Sequence, residues 1–133
     1  MKTKYTKDLI FGVVFGLIAY CFVGKLGLYL LQIIWYEYAI HDKDKLYTFK
    51  MFLSRLFMGV LAAISASIIA TKVADDRGKS AWFVGAIVFF VASYIHLLTV
   101  VWTEYPVWYH FAYLLPIIPI IGLGHRIFKK KIY

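Results

Sequence analysis

Four long apolar runs alternate with short polar stretches along the chain. The first runs from about Leu9 to Tyr36, the second from about Met51 to Val73, the third from about Ala81 to Trp102 and the fourth from about Val107 to Ile127. Each is long enough to cross the ~30 Å hydrocarbon layer as a helix, which takes about 20 apolar residues. The pattern predicts an all-α fold: an integral membrane four-helix bundle in one domain, residues 1–133.

The first run would be roughly 40 Å long at ~1.5 Å per residue, so it must tilt, bend or project. Gly24 and Gly27 are the candidate bend points if it bends. Gly12 and Gly16 form a small-xxx-small pair that lets another helix approach closely, within the bundle or in a homodimer. Lys25, Tyr29, Gln32 and Tyr36 share one face of its second half. In the second run Gly59, Ala63 and Ser67 repeat every four residues, as do Ala62, Ala66 and Ala70. They make a broad small-residue face, and Arg55 lies one turn before Gly59 on it. In the third run His96 shares a face with Gly85, Phe89 and Ala92, so it is expected to look inward. The fourth run carries Pro116 and Pro119, each lacking a backbone donor, and a kink or widened turn is expected there.

The stretch from Glu37 to Lys50 reads as a solvated loop carrying both signs of charge. The stretch Ala74–Lys79 reads as a solvated turn, with a metal or phosphate site at Asp75 and Asp76 as the sharper alternative. Thr103-Glu104-Tyr105-Pro106 is a tight turn between the last two runs.

Composition agrees with lipid burial. The chain is 62% hydrophobic and 20% aromatic, well above the apolar share of soluble domains, about 45–50%. The net charge of +8 would suggest nucleic acid in a soluble chain. Here Lys and Arg flank the runs, so no nucleic-acid partner is expected. Basic residues at Lys2, Lys4, Lys7, Lys72, Arg77, Lys79, Arg126, Lys129, Lys130 and Lys131 would lie on one side. Lys43, Lys45 and Lys50 would lie on the other. Ten against three places both termini in the cytoplasm, and the lipid bilayer becomes the first partner. Cys21 stands alone, so a disulfide within the chain is impossible. Tyr20 before it and the continued apolar run argue for a retained span rather than a lipoprotein signal.

This topology puts the ionisable groups of the spans near the outer face. Lys25, Arg55, His96 and His110 would wall a polar pocket there, with Glu104 as counter-ion and Tyr29, Tyr105, Tyr109 and Tyr113 around it. Buried charges at such depth cost up to ~3 kcal/mol each, so they should be paired. The excess positive charge suits an anionic lipid or small molecule. Structural polar packing and an interfacial aromatic belt are the plainer alternative. No cofactor is expected on the main reading; b-type haem held by His96 and His110 is the alternative. No Asp or Glu lies within a span, which speaks against proton-coupled cation exporters. Metal-ligand motifs, phosphate loops and nucleophile elbows are absent from the sequence, and no catalytic residue is assigned.

Pro106, Trp108 and Tyr109 open the last run with a Pro-x-Trp-aromatic step, and Pro119 and Gly124 follow. Over roughly the last 40 residues this resembles a group of small, uncharacterised four-span bacterial membrane proteins. That group often has His before the proline, where this chain has Tyr105. The resemblance implies a four-span inner-membrane fold and supplies no activity. The leading functional expectation is an accessory or assembly subunit of a larger membrane complex, beside other membrane subunits or as a homo-oligomer. The alternative is a binding or transport protein using the outer pocket. A membrane enzyme using His96 or His110 ranks third.

Overall fold

The computed structural model describes the backbone of residues 2–132 and the side chains of residues 2–127. Seven helices follow in order: α1 (Lys2–Ile34), α2 (Tyr36–Asp44), α3 (Phe49–Ala74), α4 (Lys79–Leu98), α5 (Val101–Glu104), α6 (Val107–Leu114) and α7 (Ile117–Ile132). Among the described residues there are no strands. Four helical stretches are long and apolar enough to cross a membrane: α1, α3, α4 and the α6–α7 run to Ile127. The side chains of Lys129, Lys130 and Lys131 in the expected basic tail lie outside the described residues.

Helix α3 is the centre of the bundle, in contact with α1, α4, α6 and α7. Its small side chains are what allow this. Ala62, Ala63, Ala66, Ser67 and Ala70 are all buried. Ala63, Ala66 and Ala70 join Val84, Val88, Ala92, Leu114, Ile117 and Ile121 in one core. Close packing of this kind replaces the hydrophobic driving force that helices in lipid lack.

The glycines of α1 are spent inside this packing. A Cβ at Gly12 would lie 2.6 Å from the Ala74 Cβ, and one at Gly16 would lie 2.8 Å from the Ala70 Cβ. The pair therefore seats α1 on α3 and α4 within the bundle. Helix α1 keeps its helical backbone through Gly24 and Gly27. Gly27 serves contact, because a Cβ there would meet the Met58 Sδ at 2.8 Å.

Three polar stretches differ from expectation. The supposed first loop is mostly helix: the chain breaks at Trp35, in extended backbone, and then forms α2. Tyr38 on α2 is only 1% exposed, so the segment is docked by that side chain, while Lys43, Asp44 and Lys45 stay exposed as expected. The turn after α3 is also not plainly solvated. Asp76 is 3% exposed and accepts from the Gly78 N–H at 3.1 Å, the Ser80 N–H at 2.7 Å and the Ser80 hydroxyl at 3.1 Å. Its carboxylate caps α4, where the helix dipole favours negative charge. This use as a cap corrects the solvated-turn expectation and occupies the carboxylate that the metal or phosphate alternative needed. The third run ends early, at Leu98, and α5 follows as a separate short turn.

The last run is interrupted at residues 115–116, as the prolines predict. Pro119 sits in the first turn of α7, where an amide has no intrahelical partner in any case.

Candidate functional site

The polar side chains gather at one end of the bundle, where α2, α5 and the starts of α3 and α6 meet. Arg55 is the hub. Its Nε donates to the Tyr109 hydroxyl at 3.2 Å. Nη1 donates to the hydroxyls of Tyr38 at 2.7 Å and Tyr47 at 3.3 Å, and Nη2 donates to that of Tyr105 at 3.3 Å. The guanidinium lies 4.8 Å from the Tyr47 ring centre and 5.4 Å from that of Tyr105, within cation–π range. Its side chain is 15% exposed. Four hydroxyls thus take four of the five N–H groups, and one Nη2 hydrogen remains.

The facing carboxylate is Asp42, with Oδ1 3.9 Å from Arg55 Nη1. The expected counter-ion was Glu104. Asp42 takes that place because α2 folds back over the start of α3. Tyr47 and Gln32 donate to the same carboxylate, and Lys45 lies 3.8 Å away. Burial pushes the Asp42 carboxyl up, but the bonds from Tyr47 and Gln32, with Lys45 and Arg55 nearby, outweigh it and hold it below the usual carboxylate range. Burial, then the bond to Asp42, pushes the Tyr47 phenol up, so it stays a donor.

Behind this cluster His96 and His110 join ring to ring, Nδ1 to Nδ1, at 2.9 Å. His110 is fully buried, stacks on Trp102 at 4.9 Å, and its Nε2 lies 3.2 Å from the Trp102 carbonyl. A carbonyl only accepts, so His110 donates from Nε2. With both rings neutral, His110 Nδ1 accepts and His96 Nδ1–H donates. His96 Nε2 then carries a lone pair, and no described protein group bonds to it. His96 also stacks on Tyr113 at 4.7 Å, and the Tyr113 hydroxyl pairs with that of Tyr20 at 2.6 Å.

His96 and His110, the pair named for a b-type haem, bond directly to each other through Nδ1 in this arrangement. Among the described residues there is no group of three His, Cys, Asp or Glu able to hold a metal ion.

A cavity of about 370 Å³ opens beside the cluster, between α1, α3, α4 and α6. Arg55, His96, Tyr105, Tyr109 and Tyr113 supply its polar wall, with Lys25 from α1. Leu28, Met58 and Ile95 supply apolar wall. Of the nine expected site residues, these six line the cavity. His110 lies behind His96 as its support, Glu104 stands aside on α5, and Tyr29 is 59% exposed on the outer face of α1. Tyr20, Tyr38, Asp42 and Tyr47 belong to the cluster and were not expected. Tyr20 continues the Gly12–Gly16 row at four-residue spacing and was findable on that ground. Comparison with known protein families, curated proteins and solved structures finds no match for this chain.

Proposed function

We propose that this chain is a multi-pass protein of the bacterial plasma membrane, with both termini cytoplasmic, that binds an anionic amphiphile or small molecule in the cavity beside Arg55. The ten-to-three split of basic residues supports the orientation. In that orientation the cavity lies in the outer half of the bilayer.

One observation carries the binding reading: Arg55, Lys25 and His96, whose Nδ1 is taken by His110, line a single cavity. The charge of Arg55 is offset by Asp42 and four hydroxyls. Lys25 has no acidic partner among the described residues, so the void keeps a net positive wall. Its volume is in the range of ligand pockets, about 300–1,000 Å³.

The accessory-subunit reading has one feature in its favour. An apolar groove on the outside of α1, lined by Leu17, Ile18, Phe22 and Leu26, also contains Lys25. A partner helix would cover it. The glycine pair that suggested such a partner is already used inside the bundle.

Native mass spectrometry on protein extracted gently from its own membrane separates the two. The binding reading expects a fixed mass of an anionic amphiphile or small molecule that Lys25→Gln removes while helicity is unchanged. A complex with other polypeptides at fixed ratio, and no such adduct, would overturn it in favour of the subunit.

A further inference from the structure

The cavity beside Arg55 and the groove on α1 adjoin along one ridge, since both are lined by Cys21 and Lys25. The geometry points to a phospholipid with a hydroxyl-bearing, singly anionic phosphodiester head, its head group in the cavity and its chain in the groove. The inference rests on the binding reading above and names the ligand's class.

The groove decides for a lipid over a free anion. Leu17, Ile18, Phe22 and Leu26 line an apolar groove that meets the polar wall at Lys25. A lipid chain fits this apolar surface, whereas a soluble anion makes no use of it. Lys25, at the junction, lies where a phosphate would sit between head and chain. Cationic and N–H donors there suit phosphate oxygens.

The polar wall decides for a hydroxyl in the head. Arg55 has one Nη2 hydrogen to give, and the Tyr109 hydroxyl accepts from Arg55 Nε, which leaves its own hydrogen to donate. Both suit an anion. His96 Nε2 does not: with Nδ1–H given to His110, it is a bare acceptor. A head group of oxygens alone would leave that lone pair opposed by other lone pairs. A hydroxyl donor satisfies it. The His110–Trp102 carbonyl bond is what fixes His96 in this sense, so His110 is a positioning residue.

Phosphatidylglycerol and phosphatidylmethanol test this directly. They share chains and a single phosphodiester charge, and only the first carries head-group hydroxyls. The full chain, delipidated in a maltoside detergent, is offered both at equal concentration, and native mass spectrometry counts each adduct. One hydrogen bond of this kind is worth up to roughly tenfold in affinity, so phosphatidylglycerol should be retained up to about tenfold over its methyl analogue. His96→Phe should bring the ratio of the two adducts to one, and His96→Gln, whose carbonyl accepts, should keep part of the preference. Helical circular dichroism and monodisperse elution verify the fold of both variants.

Equal retention by the unaltered protein would overturn the hydroxyl inference and leave anion binding standing. A preference that survives in His96→Phe would overturn the assignment to His96. Retention of neither lipid above phosphatidylcholine would overturn the binding reading itself. Displacement by soluble glycerophosphoglycerol at the same concentration would overturn the lipid as the ligand's source.

Discussion

Arg55 donates to the Tyr38 hydroxyl at 2.7 Å, and that bond ties the start of α3 to the buried face of α2. The same guanidinium reaches Tyr105 and Tyr109, so one side chain joins α2, α3 and the approach to α6. Losing it takes the shared donor from four hydroxyls and the facing guanidinium from Asp42. Arg55→Met should therefore lower stability by about 3 kcal/mol or more, in the range for breaking a buried pair from one side. Arg55→Lys should rescue little of this, because an ammonium cannot present the fork that meets four hydroxyls. Tyr38→Phe removes one bond and should cost about 1–3 kcal/mol. Thermal unfolding in detergent, followed by circular dichroism, ranks the three. Full stability in Arg55→Lys would show that charge alone, and not the fork, holds α2.

Gly16 and Gly24 lie on the same helix and should respond in opposite ways. A Cβ at Gly16 would stand 2.8 Å from both the Ala70 Cβ and the Val84 Cγ2. A Cβ at Gly24 would meet the Ala62 Cβ at 3.8 Å, an ordinary contact. Gly16→Val should cost about 1–3 kcal/mol through overpacking. Gly24→Ala should be neutral or stabilising by up to about 1 kcal/mol, since alanine is the better helix former. Unfolding midpoints check both. Neither change should alter the mass in solution, because the Gly12–Gly16 seam faces α3 and α4.

Much of the bundle was legible because lipid-length apolar runs and four-residue repeats of small side chains carry direct geometric meaning. Ala62, Ala66 and Ala70 repeat on one face, and all three are buried. The convergence of Arg55, His96, Tyr109 and Tyr113 was also readable, since helix phase and depth place them together. The docked helix α2 was not. Its sequence, Tyr36 to Asp44, mixes charges with aromatics and has no apolar stripe of its own. Its docking comes from single contacts, with Tyr38 and Asp42 meeting a side chain 13 to 17 residues away. No periodicity encodes such a choice, so Glu104 was as good a partner for Arg55 on paper as Asp42. Asp76 was missed for a related reason. A carboxylate in a short polar turn looks the same in sequence whether it faces water or folds back onto the amides of the next helix.

The Asp76 cap gives a sharp contrast with its neighbour. Asp76→Ala leaves the Ser80 N–H, the Gly78 N–H and the Ser80 hydroxyl without their acceptor in a buried turn. A loss of about 1–2 kcal/mol is expected, as for other N-terminal caps. Asp75 is exposed, and Asp75→Asn, which keeps a residue tolerant of its left-handed backbone (φ 47°), should change stability by no more than about 0.5 kcal/mol. Hydrogen exchange resolved to residues 78–80 should speed up in the first variant and not in the second.

Asp42 predicts how the docking of α2 depends on pH. Its carboxyl is held below the usual range, and an unfolded aspartate titrates near pH 3.9. As pH falls, the unfolded chain takes up the proton first. The contribution of Asp42 is therefore complete above about pH 4 and fades as pH drops through the lower folded value. Asp42→Asn keeps the shape and removes the charge that Tyr47, Gln32, Lys45 and Arg55 share. At pH 7 it should be about 1–3 kcal/mol less stable than the unaltered protein. That gap should be flat from pH 8 to pH 5 and shrink below pH 4, because acid removes from the native protein what the substitution has already removed. Parallel unfolding curves for the two proteins isolate Asp42 from the other carboxylates. A gap that persists undiminished at pH 3 would mean that Asp42 holds α2 by shape and not by charge.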